Sequence, residues 1–386
     1  MEPADSNSQS RPLRDLTWLF LRLGVTAFGG PAAHIAMMEN EVVCRRPWLT
    51  KQEFLDLLGM ANLIPGPTST ELAIFIGYRR AGWRGLILGG VCFILPAALI
   101  VSIFAWAYLR YGKFPQVEGL LYGIKPVIIA VMFQAIWKLG RTALKSRLLA
   151  LVGISALAAS YCGFNPLLVL VACGLMMLAS QATLQRSGAG MCIPPMLGLW
   201  LQPVASNIVT PFTVGKLFLF FLKIGSVLFG SGYVLLAFLR TDLVERWHWL
   251  TENQLLDAVA VGQFTPGPVF TTATFIGYVL GGPWTALVAT VGIFLPSFIL
   301  VSLCGRWVPR LRKSVLAGAF LDGVNVASLG LMAVVTVQLG GTAIIDWPTI
   351  VLALLAATLL LYYRINAAWL VMAGGVAGLL MRTGPL

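Results

Sequence analysis

One long signature is written twice in this chain, the second copy lying 201 positions after the first. The first copy reads Gly24-x-x-x-Phe28-Gly29, Trp48-Leu49-Thr50, Asp56, Pro65-Gly66-Pro67 and Phe75-Ile76-Gly77-Tyr78. The second reads Gly225-x-x-x-Phe229-Gly230, Trp249-Leu250-Thr251, Asp257, Pro266-Gly267-Pro268 and Phe275-Ile276-Gly277-Tyr278, one residue being missing after its Pro-Gly-Pro. Later landmarks still pair: Leu95-Pro96 with Leu295-Pro296, Gly123 with Gly323, Asn165 with Asn366, Gly174 with Gly375. The chain is also very apolar, with 58% hydrophobic and only 11% charged residues. Soluble domains carry about 25% charge, so this composition dictates an integral membrane protein. A duplicated half inside such a chain marks a secondary transporter, whose substrate site lies at the interface between the repeats.

A membrane span takes roughly 20 apolar residues of helix. The first half offers candidates at about 16–36, 85–109, 119–138, 147–161 and 165–181, and the second at about 212–235, 285–308, 315–338, 348–362 and 366–382. Residues 1–15 are a polar tail read as disordered, without the basic and apolar pattern of a secretory signal. The repeats are set at 16–181 and 212–386, with a Gly-, Pro- and Ser-rich linker over 182–211. Between the first two spans of each half lies an odd segment. Thr50-Lys51-Gln52-Glu53 and Thr251-Glu252-Asn253-Gln254 both have capping-box form. Each begins an amphipathic helix, which runs to about Leu63 in the first copy. The helix-breaking pairs Pro65/Pro67 and Pro266/Pro268 end these helices, and a second short helix follows, to about Tyr78 in the first copy. Helices of about a dozen residues are too short to span. The segment is therefore a re-entrant hairpin, its tip covered by protein as irregular backbone at membrane depth must be.

Five crossings per half is an odd number, and the linker carries no span, so the halves must be inserted upside down relative to each other. The fold expected is all-α: two inverted-topology repeats, each of about five spans plus the hairpin. The positive-inside rule favours an outside N-terminus. That orientation puts Arg45, Arg46, Lys51, Arg79, Arg80, Arg84, Lys138, Arg141, Lys145 and Arg147 inside in the first half, against Arg11, Arg14, Arg110 and Lys113 outside, and Arg310, Arg312, Lys313 and Arg364 inside in the second, against Arg240, Arg246 and Arg382 outside. Topology together with attraction to an anionic bilayer is the plainer account of the net charge of +12, and an anion substrate would add a further reason for it. No basic face is clustered as nucleic-acid binding requires. The six scattered cysteines read as small buried residues, and isolated His34 and His248 do not form a metal site. No cofactor is expected.

The ordered set Phe28-Gly29-Gly30-Pro31, Trp48-Leu49, Pro65-Gly66-Pro67, Gly77-Tyr78 and Leu95-Pro96, with its second copy, resembles the chromate ion transporter family in its long, two-domain form. The resemblance covers about residues 14–386. It implies export of chromate across a bacterial inner membrane, with chromate resistance as the outcome and the isostructural dianion sulfate as a competitor. A homodimer is compatible with it. The second copy departs from the pattern where Gly30-Pro31 becomes Ser231-Gly232 and Glu39 becomes Arg240.

A tetrahedral dianion in a low-dielectric site needs opposing charge or oriented donors, and helix N-termini supply the latter. The hydroxyls just past each tip, Thr68, Ser69 and Thr70 in one copy and Thr271 and Thr272 in the other, make a donor-rich pocket with Gly29, Gly30, Gly66 and Gly267. The plainer reading is a helix break with Ser/Thr caps. Arg22 lies inside the first span with Lys223 as its mate. The pair either balances the dianion near mid-membrane or snorkels to an interface. Lys125, matched by Asn325, is a second anion candidate or an interfacial lysine. Glu71, which has no acidic mate, is a candidate proton carrier; Asp56 and Asp257 are others, or else salt-bridge partners. A membrane-embedded enzyme would need a catalytic set such as His-Glu-x-x-His, and none is present. A lipid or amino-acid transporter would call for a larger cavity with less cationic symmetry.

Overall fold

The computed structural model describes residues 6–112, 114–186, 211–229, 232–304, 314–363 and 365–383. Several sequence expectations lie outside these residues: most of the 182–211 linker, Gly230-Ser231, the basic cluster Arg310, Arg312 and Lys313, Arg364, and Cys192. The described residues form helices and connecting turns, with no strand among them. In chain order the helices are α1 (Ser6–Thr26), α2 (Gly30–Glu39), α3 (Lys51–Ala61), α4 (Thr68–Tyr111), α5 (Pro115–Ala143), α6 (Arg147–Tyr161) and α7 (Pro166–Arg186). The second half follows with α8 (Val214–Val227), α9 (Leu235–Phe238), α10 (Glu252–Phe264), α11 (Thr272–Cys304), α12 (Val315–Ala343), α13 (Trp347–Leu361) and α14 (Ala367–Thr383). Four of them, α4, α5, α11 extended back to Val269, and α12, are long and apolar enough to cross a membrane. The shorter α6, α7, α13 and α14 are apolar as well.

Three local features differ from the sequence reading. The stretch over 16–36 is not one helix: α1 starts at Ser6, within the tail read as disordered, and ends at Thr26. Gly29 and Gly30 have φ of +105° and +78°, left-handed values that glycine tolerates, and α2 restarts with Pro31 in its first turn. In the second half α8 likewise stops at Val227, inside the span expected over 212–235. The second difference is that α2 runs on into a π-helical segment, Asn40–Arg45, and α9 into another, Leu239–Arg246. Such segments are rare and gather at functional sites. Finally, the cysteines divide: Cys92 and Cys173 are buried, but Cys44 and Cys162 are exposed, because they sit at a helix end and a turn rather than on a packed face.

The hairpins form as their residues dictate. Thr50 accepts from Glu53 N, and Glu53 answers to Thr50 N, closing the capping box at the start of α3. Thr251 and Gln254 repeat the pairing at α10. The first Pro-Gly-Pro separates α3 from α4, and α4 itself doubles back at Ala81-Gly82, where Gly82 has φ +58° and ψ −144°. The arm from Thr68 to Arg80 thus lies along the next arm. Gly77 approaches Gly85, and Gly89 approaches Ala73 O, so closely that a side chain on either glycine would clash with backbone. Thirteen residues of helix reach about 20 Å, short of the hydrocarbon thickness. The second repeat turns at Gly281-Gly282 in the same way.

The chain packs as two compact units, and each draws on both repeats. The first comprises Met1–Gly112, Val214–Ser226 and Val261–Pro309; the second, Lys113–Thr213, Val227–Ala260 and Arg310–Leu386. In the first unit the stripe Leu16, Leu19, Phe20 and Leu23 of α1 recurs at helical spacing and is fully buried with Phe54, Leu72 and Phe93. Gly24 explains its place in the signature. A Cβ there would lie 2.8 Å from Phe93 O and 3.1 Å from the Pro96 ring. Gly225 meets the equivalent groups, Ile293 O more closely still and the Pro296 ring at 3.1 Å. In the second unit the repeats are exchanged: α5 packs on α14 and α13, while α12 packs on α7 and α6. The α5–α14 crossing is lined by Gly119 and Gly123 against Gly374 and Gly378, the small-x-x-x-small pattern that lets membrane helices approach closely.

Candidate functional site

Both Pro-Gly-Pro tips belong to the first unit and are largely buried. At the first tip Pro67 caps α4 from an extended conformation, and its carbonyl accepts from Thr70 N at 2.8 Å and Glu71 N at 3.1 Å. Gly66 has φ +137°, and a Cβ on it would strike the Glu71 carboxyl and sit 2.6 Å from Ser297 Oγ. Glycine is required here for two reasons, the backbone angle and the carboxyl lying over it. Ser69, Thr70 and Glu71 are buried, Thr68 is half-buried. Ser297 Oγ donates to Glu71 Oε1 at 3.4 Å. Glu71 Oε2 and Thr70 Oγ1 are buried with no hydrogen-bond partner among the described residues.

The second tip has the same backbone but other chemistry. Gly267 has φ +93°, and its N–H donates to Ala27 O at 3.0 Å, closing the end of α1. A Cβ on Gly267 would strike Ala97, which occupies the place of Ser297. Pro268 leads into a 3₁₀ turn, Val269–Thr271. Thr271 Oγ1 donates to Pro268 O and Thr272 Oγ1 to Val269 O, both at 2.8 Å. Its hydroxyls thus satisfy their own turn, whereas Thr70 does not.

The cationic candidates divide between the units. Arg22, in the first, donates from Nη2 to Glu41 Oε1. Arg45 Nη1 reaches the same oxygen at 3.0 Å, and Arg46 Nε lies 3.6 Å from Oε2. Glu41 is buried and the arginines are partly exposed, so three guanidinium groups surround one carboxylate. Lys223 is half-buried on α8, in the same unit. Asp56 accepts from Gln52 Nε2 at 3.4 Å. In the second unit Lys125 Nζ lies 3.3 Å from Asp257 Oδ1 and donates to Asn253 Oδ1 at 2.9 Å. Asn325, its mate, is exposed on α12. Glu53 is held below the usual carboxylate range by the Thr50 N–H and then by Arg79.

An apolar groove of about 610 Å³ lies between α4 and α11, lined by Ile87, Val91, Leu95, Leu99 and Leu287 among others. It offers no charge and suits acyl chains rather than an anion. Among the described residues no three His, Cys, Asp or Glu side chains converge as metal ligands.

The family model described as "Chromate transporter" matches residues 14–178 and again residues 215–379. The chain belongs to the chromate transporter family. It is 32% identical over 383 residues to the chromate transport protein of Cupriavidus metallidurans, covering 94% of this chain and 91% of that one. It is 31% identical over 363 residues to the probable chromate transport protein of Synechococcus elongatus, covering 92% of each. It is also 31% identical over 379 residues to the chromate transport protein of Pseudomonas aeruginosa, covering 94% of this chain and 91% of that one. No solved structure matches. A transporter family with this many apolar helices makes the chain a multi-pass membrane protein and not an enzyme.

Glu41 and Asp242 escaped the sequence reading. Both are buried, both sit in the π-helical segments, and they are related by the same offset of 201, with Arg45 and Arg246 four residues on. That offset was the available signal: an acid repeated in register and followed at i+4 by arginine.

Proposed function

We propose that this chain exports chromate across a bacterial inner membrane and so confers resistance to it, with sulfate competing as a dianion of the same shape. The observation that carries the reading is the first tip, a buried helix start whose Thr70 hydroxyl has no partner among the described residues and where the Glu71 carboxyl is folded over Gly66. The names of the relatives, chromate transport proteins, support the choice of anion. In this reading Thr68, Ser69, Thr70 and the first N–H groups of α4 donate to the oxyanion, as helix starts do for phosphate. Gly29, Gly30, Gly66 and Gly267 keep the backbone open around it. Thr271 and Thr272 contribute from the second tip. Arg22 and Lys223, in the same unit as the tips, supply counter-charge. The chain is organised as inverted repeats over 16–181 and 212–386, each of five spans plus the hairpin, with the N-terminus outside.

Of the three proton candidates, Asp257 is engaged by Lys125, Asp56 lies on the hairpin helix, and Glu71 stands at the tip itself. A carboxylate beside a bound dianion would repel it, so a proton on Glu71 accompanies the anion. The net charge moved is then −1. An inside-negative potential drives it outward at about 2.3 kcal/mol per charge per 100 mV.

The test is chromate flux in sealed vesicles carrying the full chain, with potential and pH gradient imposed separately. The expected result is flux that follows the potential and is inhibited by sulfate. Glu71→Gln, permanently neutral, keeps potential-driven flux and loses its dependence on the pH gradient. Flux indifferent to potential, or a Glu71→Gln variant with the pH dependence of the original, would overturn the scheme.

A further inference from the structure

The first unit carries a second cluster of guanidinium groups, beside the tip of the doubled-back α4 and away from the Pro-Gly-Pro residues. Arg46 and Arg80 both lie over the Trp48 ring, their guanidinium carbons 5.7 and 5.0 Å from its centroid. Arg79 Nη2 donates to Glu53 Oε1 at 3.1 Å. Trp48, Leu49, Glu53, Ile76, Arg79 and Arg80 enclose a small polar pocket of about 120 Å³. That is room for a small polar group of a few heavy atoms. Two of the three arginines, Arg79 and Arg80, are exposed, and Arg46 is half-buried. With Arg22 and Arg45 included, four guanidinium groups pair with two carboxylates, Glu41 and Glu53, and Arg80 lies on Trp48, an excess of three positive charges among these seven groups.

The second repeat supplies an internal control. It has the same turn, with Trp249 in place of Trp48, but Trp247 stands where Arg46 does, and Val279 and Leu280 where Arg79 and Arg80 do. There the ring is packed by aromatic neighbours instead, Trp247 at 4.5 Å and Phe212 at 5.1 Å between centroids. The turn therefore folds without arginine, and the arginines of the first repeat are not explained by the backbone they sit on. A planar fork beside an aromatic plate, with one carboxylate to orient it, is the arrangement that binds phosphate-like groups in bidentate fashion.

We infer that the Trp48–Arg79–Arg80 pocket, with Arg46, is a binding site for a tetrahedral oxyanion group, distinct from the site proposed at the tip. The group arrives either as the phosphate of an anionic lipid or as a free oxyanion. The shared chemistry is one or two negative oxygens held by Arg79 and Arg80 beside Trp48. Positive charge at a membrane surface gathers both sources.

The test uses the full chain in detergent with two probes: phosphatidylglycerol, read by native mass spectrometry with phosphatidylcholine as the neutral comparison, and sodium sulfate, read by calorimetry. The chain is compared with Arg80→Gln, with Arg79→Gln/Arg80→Gln and with Arg80→Lys. If the source is lipid, the double variant loses one bound phosphatidylglycerol per chain and keeps its phosphatidylcholine adducts. If the source is a free anion, sulfate affinity at one site falls at least tenfold. Arg80→Lys keeps part of either signal. Should the double variant not survive extraction, Arg80→Gln alone is read, with at least a threefold loss expected. Unchanged binding of both probes in a variant that melts like the original overturns the inference. Because the tip residues are untouched, loss of chromate flux in Glu71 or Thr70 variants speaks to the proposed transport reading and not to this pocket.

Discussion

The two repeats share a signature but hold the segment between the first helix break and the Pro-Gly-Pro tip in different ways. In the first repeat α2, the π-helical segment and α3 belong to the first unit, where Glu41 gathers Arg22, Arg45 and Arg46. In the second, residues 232–260 belong to the second unit. There Arg240 binds Glu245, reaches Glu252 at 2.7 Å and donates to Gln338 at 2.7 Å, while Lys125 holds Asp257 and Asn253. The positions equivalent to Arg240, Glu252 and Gln338 are Glu39, Lys51 and Lys138, with the signs of the ionic pair reversed. The tips differ as well: the first leaves a hydroxyl and a carboxyl oxygen unsatisfied, and the second satisfies its own. Duplication has kept the backbone breaks, which depend on Gly and Pro, and has let the polar contacts diverge. The second repeat holds this segment through an ion-pair network, and the first leaves two polar atoms at its tip without a partner among the described residues.

The sharpest way to break this contrast is at the anchor. Arg240 is only 14% exposed, and its removal leaves Glu252 with a buried oxygen and no cation among the described residues. Breaking a buried pair from one side costs about 3–5 kcal/mol, and the half-exposed Glu245 argues for the low end. Arg240→Ala should therefore melt well below the original chain in detergent, while Glu39→Ala, at the equivalent position, stays within about 0.5 kcal/mol. Equal melting shifts would mean that both repeats are anchored alike.

At the tips the contrast is one of donors. A hydrogen bond to a charged group is worth about 1.5–3 kcal/mol, so Thr70→Val should weaken chromate binding by about 10- to 100-fold. Thr271→Val should stay within about threefold, since that hydroxyl already donates to Pro268 O. Comparable losses from both, read as half-saturation in vesicle flux, would make the two tips equal partners. A milder version exchanges the residues opposite the tips. Ser297→Ala removes the donor to Glu71 at 3.4 Å, a long bond worth about 1 kcal/mol, and should slow flux several-fold. Ala97→Ser should leave it unchanged.

Much of this was legible locally. The capping boxes, the Pro-Gly-Pro breaks and the ends of α6 and α13 follow from residues within a turn of each other. The repeat offset brought Gly24 and Gly225 out, though why they are glycine shows only in their approach to Pro96 and Pro296. What could not be read was non-local or cooperative. The break at Ala27–Gly29 was hidden because the flanking residues are apolar on both sides, so hydropathy runs through it. The π-helical segments have no residue signature of their own. Lys125 finds Asp257 across 132 positions, and Glu71 finds Ser297 across 226. Asp257 had two readings in the sequence, and a partner 3.3 Å away favours the salt bridge.

The smallest expected effect tests the difference between the two capping boxes. In the first the N3 residue is Glu53, in the second it is Gln254. The Thr50 N–H and Arg79 stabilise the Glu53 carboxylate in the folded chain, so its folded pKa lies below its unfolded value of about 4.3. The sign follows from linkage: a depressed acid contributes its stability above the unfolded pKa and loses it as pH falls through the folded one. The cap of α3 should weaken on acidification below about pH 4, and that of α10 should not. Because Glu53 is open to solvent, the contribution is screened and slight. Melting curves from pH 6 to pH 3 should show a small acid-dependent drop that Glu53→Gln removes and that Gln254→Glu does not reproduce in full, since Val279 stands where Arg79 would complete the cap. A Glu53→Gln chain with the same acid drop as the original would assign that sensitivity to a carboxylate outside this cap.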